Sequence, residues 1–219
     1  MNDLHSSPHE ALADIRNLMQ RSSRFISLSG LSGVFAGIYA LAGAYIAYHF
    51  LHLDAQGSTA GKYLNVNRSL QTDFIWFFIL DASIVLFLAI STGIFFTTRK
   101  ARKDGNSIFD ATAIKLVMNL CIPLFVGGVF CLALINNRSY GYIAPAMLLF
   151  YGLALVNASK YSREDIRYLG FMEILLGLVS AFLIGYGFLF WCIGFGILHI
   201  VYGTYMYLKY EVEKPAAQF

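Results

Sequence analysis

Long apolar runs separated by short polar stretches dominate the chain. Their lengths predict six helical crossings of a bilayer, at roughly 25–53, 73–99, 110–136, 140–158, 166–185 and 188–210. About 20 mostly apolar residues are enough to cross a bilayer core as a helix. The connecting segments, 54–72, 100–109, 137–139, 159–165 and the Gly-Tyr-Gly around Tyr186, are polar or glycine-rich. Backbone groups in lipid must be paired internally, so the expected fold is all-α: a polytopic integral membrane protein built as a six-transmembrane-helix bundle over 25–210.

The first 24 residues depart from this pattern. Ser7-Pro8-His9-Glu10 has the spacing of a capping box with proline at the first helical position, and Leu12, Ile15, Leu18 and Met19 then share one face. A short amphipathic helix follows from this. With Arg16, Arg21 and Arg24 beside that face, it is expected to lie on the cytoplasmic headgroup surface, or alternatively to plug against the loop between spans 2 and 3. Asp3, Glu10 and Asp14 and the late onset of the apolar run exclude a cleavable signal peptide. His5 and His9 fall outside the membrane, and residues 211–219 form a short cytoplasmic tail.

Charge adds an orientation. Of the 16 Lys and Arg residues, all but Lys62, Arg68 and Arg138 fall on the side of the N-terminus when six spans are drawn. The positive-inside rule then puts both termini in the cytoplasm, in the inner or plasma membrane. Composition agrees: 58% of residues are apolar and 13% charged, too little polar surface to coat a globule in water. A net charge of +3 gives no reason to expect nucleic acid as a partner; the bilayer is the expected one, with other membrane subunits or a second copy of the chain as further candidates. Cys121, Cys131 and Cys192 all sit in apolar runs and read as small buried side chains rather than a disulfide framework.

Span 1 carries small residues in two rows, Ser29, Gly33, Gly37 and Ser32, Ala36, Ala40, Ala44, which predict a closely packed central helix, or less directly a homodimer seam. Spans 5 and 6 carry the chemistry. Glu173 stands thirteen residues before Tyr186 and His199 thirteen after it, so a hairpin folded at Tyr186 sets them at one depth. The same register faces Gly177 with Gly196 and Gly170 with Gly203, which predicts a glycine-lined contact between the two spans. A charge left alone in hydrocarbon costs several kcal/mol, so a Glu173–His199 hydrogen bond or ion pair is expected, either as a clamp between helices or as a proton-responsive or ligand-contacting pair. Asn119, Ser91, Thr92 and Tyr202 are expected to complete a polar layer around it, with Tyr205 nearby.

Asp81 belongs to a separate layer in the outer half. Tyr45, His49 and His52 share a face of span 1 and are expected to reach it. Two imidazoles and a carboxylate also have the residue types of a zinc or iron site, so His49, His52 and Asp81 are weak metal candidates; otherwise no cofactor is expected. Pro123 and Pro145 predict kinks or helix ends. Tyr186, Phe188, Phe190 and Trp191 fit an outer aromatic belt, and Tyr202, Tyr205, Tyr207 and Tyr210 partly fit an inner one. No Walker loop, nucleophile elbow or H-E-x-x-H motif occurs, which leans against an enzyme. Three functional classes follow: a small-solute or proton-linked transporter, channel or sensor; a non-catalytic subunit or scaffold of a larger complex; and an intramembrane enzyme acting on lipid.

Overall fold

The structure is a computed structural model and describes residues 28–50, 68–103 and 111–212. The expected N-terminal helix, His5, His9, His52, most of the first connecting segment and the tail after Val212 lie outside the described residues. Within them every regular element is helical: α1 (Gly30–Phe50), α2 (Arg68–Lys103), α3 (Ala111–Asn136), α4 (Ile143–Ala158), α5 (Asp165–Phe182) and α6 over 187–212. Short 3₁₀ turns at Tyr140–Tyr142, Ser159–Tyr161 and Ile184–Tyr186 join the last four.

Five stretches are long and apolar enough to cross a membrane: Gly30–His49, Ile75–Lys103, Ala111–Asn136, Tyr140–Tyr161 and Ile184–Val212. The sixth expected crossing, α5, is 18 residues long and carries Asp165 and Arg167 in its first turn and Glu173 at its middle. Its length is marginal, and its buried polar residues, Glu173 and Ser180, lie on the face that meets its neighbours. α2 runs past the expected 73–99 at both ends, because neither its Arg-Ser-Leu-Gln-Thr start nor its Arg-Lys-Ala-Arg-Lys end contains a helix breaker. α2 and α3 turn large apolar side chains such as Phe87, Phe95, Phe125 and Leu132 outward. A surface of that kind is compatible with a membrane protein.

Neighbouring helices are antiparallel. Phe35 stacks on Phe96 and Tyr39 reaches Thr92, aligning α1 with α2. Phe150 rides over Gly127, and Asn157 donates to the Asn119 carbonyl 3.0 Å away, aligning α3 with α4. α4 and α5 touch along their length, and α6 lies between α1 on one side and α4 and α5 on the other. The bundle is therefore two triplets, α2–α1–α6 and α3–α4–α5, joined where α6 meets α4 and α5. Arg99, Lys100, Arg102, Lys103, Lys115, Lys160, Arg163, Arg167 and Lys209 gather at one end of it.

The glycine seams hold these helices together, though not with the partners expected. Gly170 packs against Gly152 of α4, and Gly177 against Leu149 and the Pro145 carbonyl of α4. Gly196 packs against Leu41 of α1, and Gly203 against Gly30, Gly33 and Val34 of α1. The predicted Gly177–Gly196 and Gly170–Gly203 pairs thus do not form, because α5 spends its glycine face on α4 and α6 spends its own on α1. Distance to the turn fixes depth; it does not fix the direction in which each face points. In α1 the Ser29, Gly33, Gly37 row is covered by α6, and Ala40 and Ala44 are buried. The seam therefore works inside the chain, where it makes α1 a central helix. Pro145 is buried in the first turn of α4, where the missing N–H costs nothing, and Pro123 lies inside α3.

A Cβ at Gly203 would lie 2.5 Å from the Val34 nitrogen and 2.7 Å from the Gly30 carbonyl oxygen, both backbone atoms that cannot rotate away. Gly203→Ala is therefore expected to cost about 1–3 kcal/mol by overpacking. Gly93→Ala, where nothing lies within 4 Å, should be neutral or stabilising by up to about 1 kcal/mol through helix propensity. Thermal melts of the two variants in one detergent would rank them in that order.

Candidate functional site: a buried acid, imidazole and phenol

Glu173 sits at the middle of α5 on the face that also carries the buried Leu169, Gly170, Gly177 and Ser180, spaced by three, four and seven residues. That face looks into the junction of α4, α5 and α6, and Glu173 is 0% exposed. Its carboxylate rests against the bare backbone of Gly194. A Cβ there would come within 2.6 Å of Oε2, and Leu148 closes over the same spot.

His199 follows a π-helical stretch, Cys192–Leu198, within α6. In a regular α-helix residues five apart point in different directions, whereas a π turn brings them into line. Gly194 and His199 are five apart, and both address Glu173. The His199 Nδ1 lies 2.9 Å from the Gly194 carbonyl oxygen and 3.5 Å from Glu173 Oε1. A carbonyl only accepts, so Nδ1 carries the proton and donates to it, leaving the carboxylate as a longer electrostatic contact. On the far side of the ring, Nε2 is 2.7 Å from the Tyr151 hydroxyl of α4. A neutral imidazole accepts from that hydroxyl, and an imidazolium donates to it; a phenol can serve in either sense. Phe195 lies parallel to the imidazole at 6.0 Å and Trp191 backs Phe195 at 5.2 Å, which walls the group in aromatic carbon.

The three side chains come from three helices and lie in the order carboxyl, imidazole, phenol, and the bond between imidazole and phenol reverses its donor when the imidazole gains or loses a proton. Among the described residues no donor makes a hydrogen bond to either oxygen of Glu173. The carboxyl is the least satisfied member of the group and the most enclosed.

The expected supporting layer lies elsewhere. Asn119 donates to the Lys115 carbonyl of its own helix at 2.8 Å, near the charged end. Thr92 is 3.2 Å from the Tyr39 hydroxyl across the α1–α2 contact, and Ser91 is exposed on α2. Tyr202 lies one turn from His199 on α6, its hydroxyl oxygen buried and without a hydrogen-bond partner; its ring neighbours that of Tyr205 at 6.3 Å. On α2, Asp81 faces Gly43 of α1, where a Cβ would lie 3.1 and 3.2 Å from its two carboxylate oxygens. Tyr45 and His49 are exposed and pair with each other at 4.4 Å between rings. His52, the third member of that expected layer, lies outside the described residues. Among the described residues no three of His, Cys, Asp and Glu come together in a way that would hold a metal ion. The cysteines are free; Cys121 is exposed on α3 and the other two are half-buried, so none is the fully buried side chain expected.

Sequence reasoning missed Tyr151 and Gly194, and also the two carboxylates at the charged end. Glu211 Oε1 accepts from the Gly30 backbone N–H at 2.8 Å, the Ser29 hydroxyl at 3.0 Å and Lys100 Nζ at 3.1 Å. It caps α1 from the far end of the chain and ties α6 to α2. Asp165 accepts from Lys209 Nζ at 3.0 Å and from the Tyr210 hydroxyl, and the Arg163 guanidinium lies 3.6 Å over the Tyr210 ring. The signal available was the position of acidic residues beside helix ends.

Compared with family models, with curated proteins and with solved structures, the chain finds no match in any of the three.

Because Glu173 and His199 share one short contact, their substitutions should not act independently. The cycle Glu173→Ala, His199→Ala and the double variant is expected to show a coupling of about 0.5–3 kcal/mol in thermal or denaturant stability. Effects that add to within about 0.3–0.5 kcal/mol would separate the two residues energetically.

Proposed function

We propose that the chain is a six-helix integral membrane protein, with both termini cytoplasmic, whose Glu173–His199–Tyr151 group takes up and releases a proton, as a proton-linked transporter, channel or sensor requires. The observation that carries this reading is the carboxyl of Glu173: wholly enclosed, against bare backbone, with no hydrogen bond to either oxygen among the described residues. A carboxylate kept purely as a clamp would be expected to have its oxygens filled, because an unpaired buried polar group costs about 1–3 kcal/mol and a charged one more. Intramembrane acids retained at such a cost are functional sites by default. The gathering of Lys and Arg at the α2 and α6 ends supports the orientation. Exposed apolar faces on α2, α3 and α5, the last carrying Leu175 and Phe182, support six crossings.

Infrared difference spectra of reconstituted protein between acid and alkaline buffer test the proton site directly. A carboxylic C=O band that rises with acidification in the wild type and is missing in Glu173→Gln is the expected result. Identical difference spectra for the two proteins would end the reading.

A second reading, a non-catalytic subunit within a larger membrane assembly or homo-oligomer, draws on α2. That helix has none of its most apolar stretch buried within the chain, and Gly93 on it has open space around it. Mass measurement in discs cut from native membrane tests this. A subunit that packs through α2 should give a complex that Gly93→Trp dissociates, whereas a wild-type chain found alone in its disc would remove the reading.

A further inference from the structure

Beyond Glu173, two more buried hydroxyl oxygens among the described residues have no hydrogen-bond partner, those of Ser180 and Tyr202. All three residues belong to α5 or α6, and Glu173 and Ser180 share the buried face of α5. Tyr202 is one turn from His199 towards the charged end, and its surroundings there include Asp165, Tyr210, Tyr205 and Arg163. Ser180 is two turns from Glu173 on the same face of α5, towards the 3₁₀ turn Ile184–Tyr186, with Gly177 between them packed against Leu149 and the Pro145 carbonyl of α4. From Asp165 to Ser180 the row extends about 22 Å at roughly 1.5 Å per residue, most of a bilayer's hydrocarbon thickness.

We infer that the α5–α6 seam is a proton path through the bundle, running from the Asp165–Tyr210 cluster by way of Tyr202 to His199 and Glu173, and on past Ser180 to the turn at Ile184–Tyr186. The inference rests on the proton-binding reading of Glu173 and extends it from a site to a route. The group facing Glu173 is His199 from α6, with Tyr151 from α4 bonded to the far side of its ring. Those near Tyr202 are Asp165 and Arg163 from the α5 end and Tyr205 and Tyr210 from α6. α1, on the other side of α6, presents Gly33 and Gly37 to it. Each transfer is a proton hop between oxygen or nitrogen atoms, with bridging water between the more distant ones, so nothing is oxidised and no bond to carbon changes. Hydroxyls that can both donate and accept are the groups such a row needs, and Phe or Ala in their places would break it without altering packing volume greatly.

The test uses full-length protein in vesicles loaded with a pH-indicating dye, with a pH gradient imposed and the membrane potential clamped by potassium and valinomycin. Wild-type vesicles are expected to collapse the gradient faster than protein-free ones. Tyr202→Phe and Ser180→Ala should each slow that collapse by about tenfold or more, below the roughly 10²–10⁴-fold that a positioned proton-transfer group contributes to catalysis. Both variants should melt at or above the wild-type temperature, since each removes an unpaired buried hydroxyl, and that control separates a broken path from a broken fold. Wild-type vesicles no faster than protein-free ones, or variants as fast as wild type, overturn the path. If the infrared band of Glu173 still titrates in that case, the proton site stands and only the route falls; if it does not, both fall together.

Discussion

Contact between bare helix backbones is the constraint on which the rest of this structure hangs. Between helices in lipid no hydrophobic force acts, and close packing through small residues takes its place. Gly30, Gly33 and Gly37 of α1 meet Gly196, Gly203 and the neighbouring backbone of α6, and Gly152 meets Gly170 between α4 and α5. With both outer partnerships fixed so closely, the junction of α6 with α4 and α5 is left as the place where the two triplets meet. It is narrow in contact and polar in content, and it holds the acid, the imidazole and the unpaired hydroxyls.

The π turn in α6 converts that arrangement into a site. A helix wound at 3.6 residues per turn would carry Gly194 and His199 to different sides. Winding Cys192–Leu198 as a π-helix lets the Gly194 carbonyl accept from the imidazole while the absence of a side chain at the same residue leaves room for the carboxylate. One glycine thereby serves the histidine with its oxygen and the glutamate with its emptiness. π turns are rare and recur at functional sites, because the register they impose has a cost that packing alone does not return.

Much of the helical plan could be read from apolar run length, and the closeness of Glu173 and His199 from counting outward from Tyr186, because depth in an antiparallel hairpin depends only on distance from the turn. Azimuth does not. Which face of α5 meets α4, and which face of α6 meets α1, is decided by all the helices packing at once, so the glycine pairs expected across one hairpin belong to two others. Depth alone misplaces Asn119 and Thr92 in the same manner, and each bonds locally or to its nearest neighbour instead. Tyr151 lay beyond reach for a related reason: one tyrosine among 14 has nothing in its flanking sequence to mark the fold's choice of it. Glu211 was hidden by the convention that a charged residue after the last apolar run belongs to a tail.

Asp81, Asp165, Glu173 and Glu211 differ in how far their oxygens are filled. Glu211 has a backbone N–H, a hydroxyl and an ammonium, and Asp165 has an ammonium and a phenol. Both stand at the charged end and keep part of their surface exposed, unlike Glu173. Asp81 is partly open beside Gly43. Glu173, the most enclosed of the four, faces only an imidazole proton already given to a carbonyl. Satisfaction therefore runs opposite to need. The chain fills its carboxylates at the charged end and leaves the most enclosed one without a hydrogen bond among the described residues.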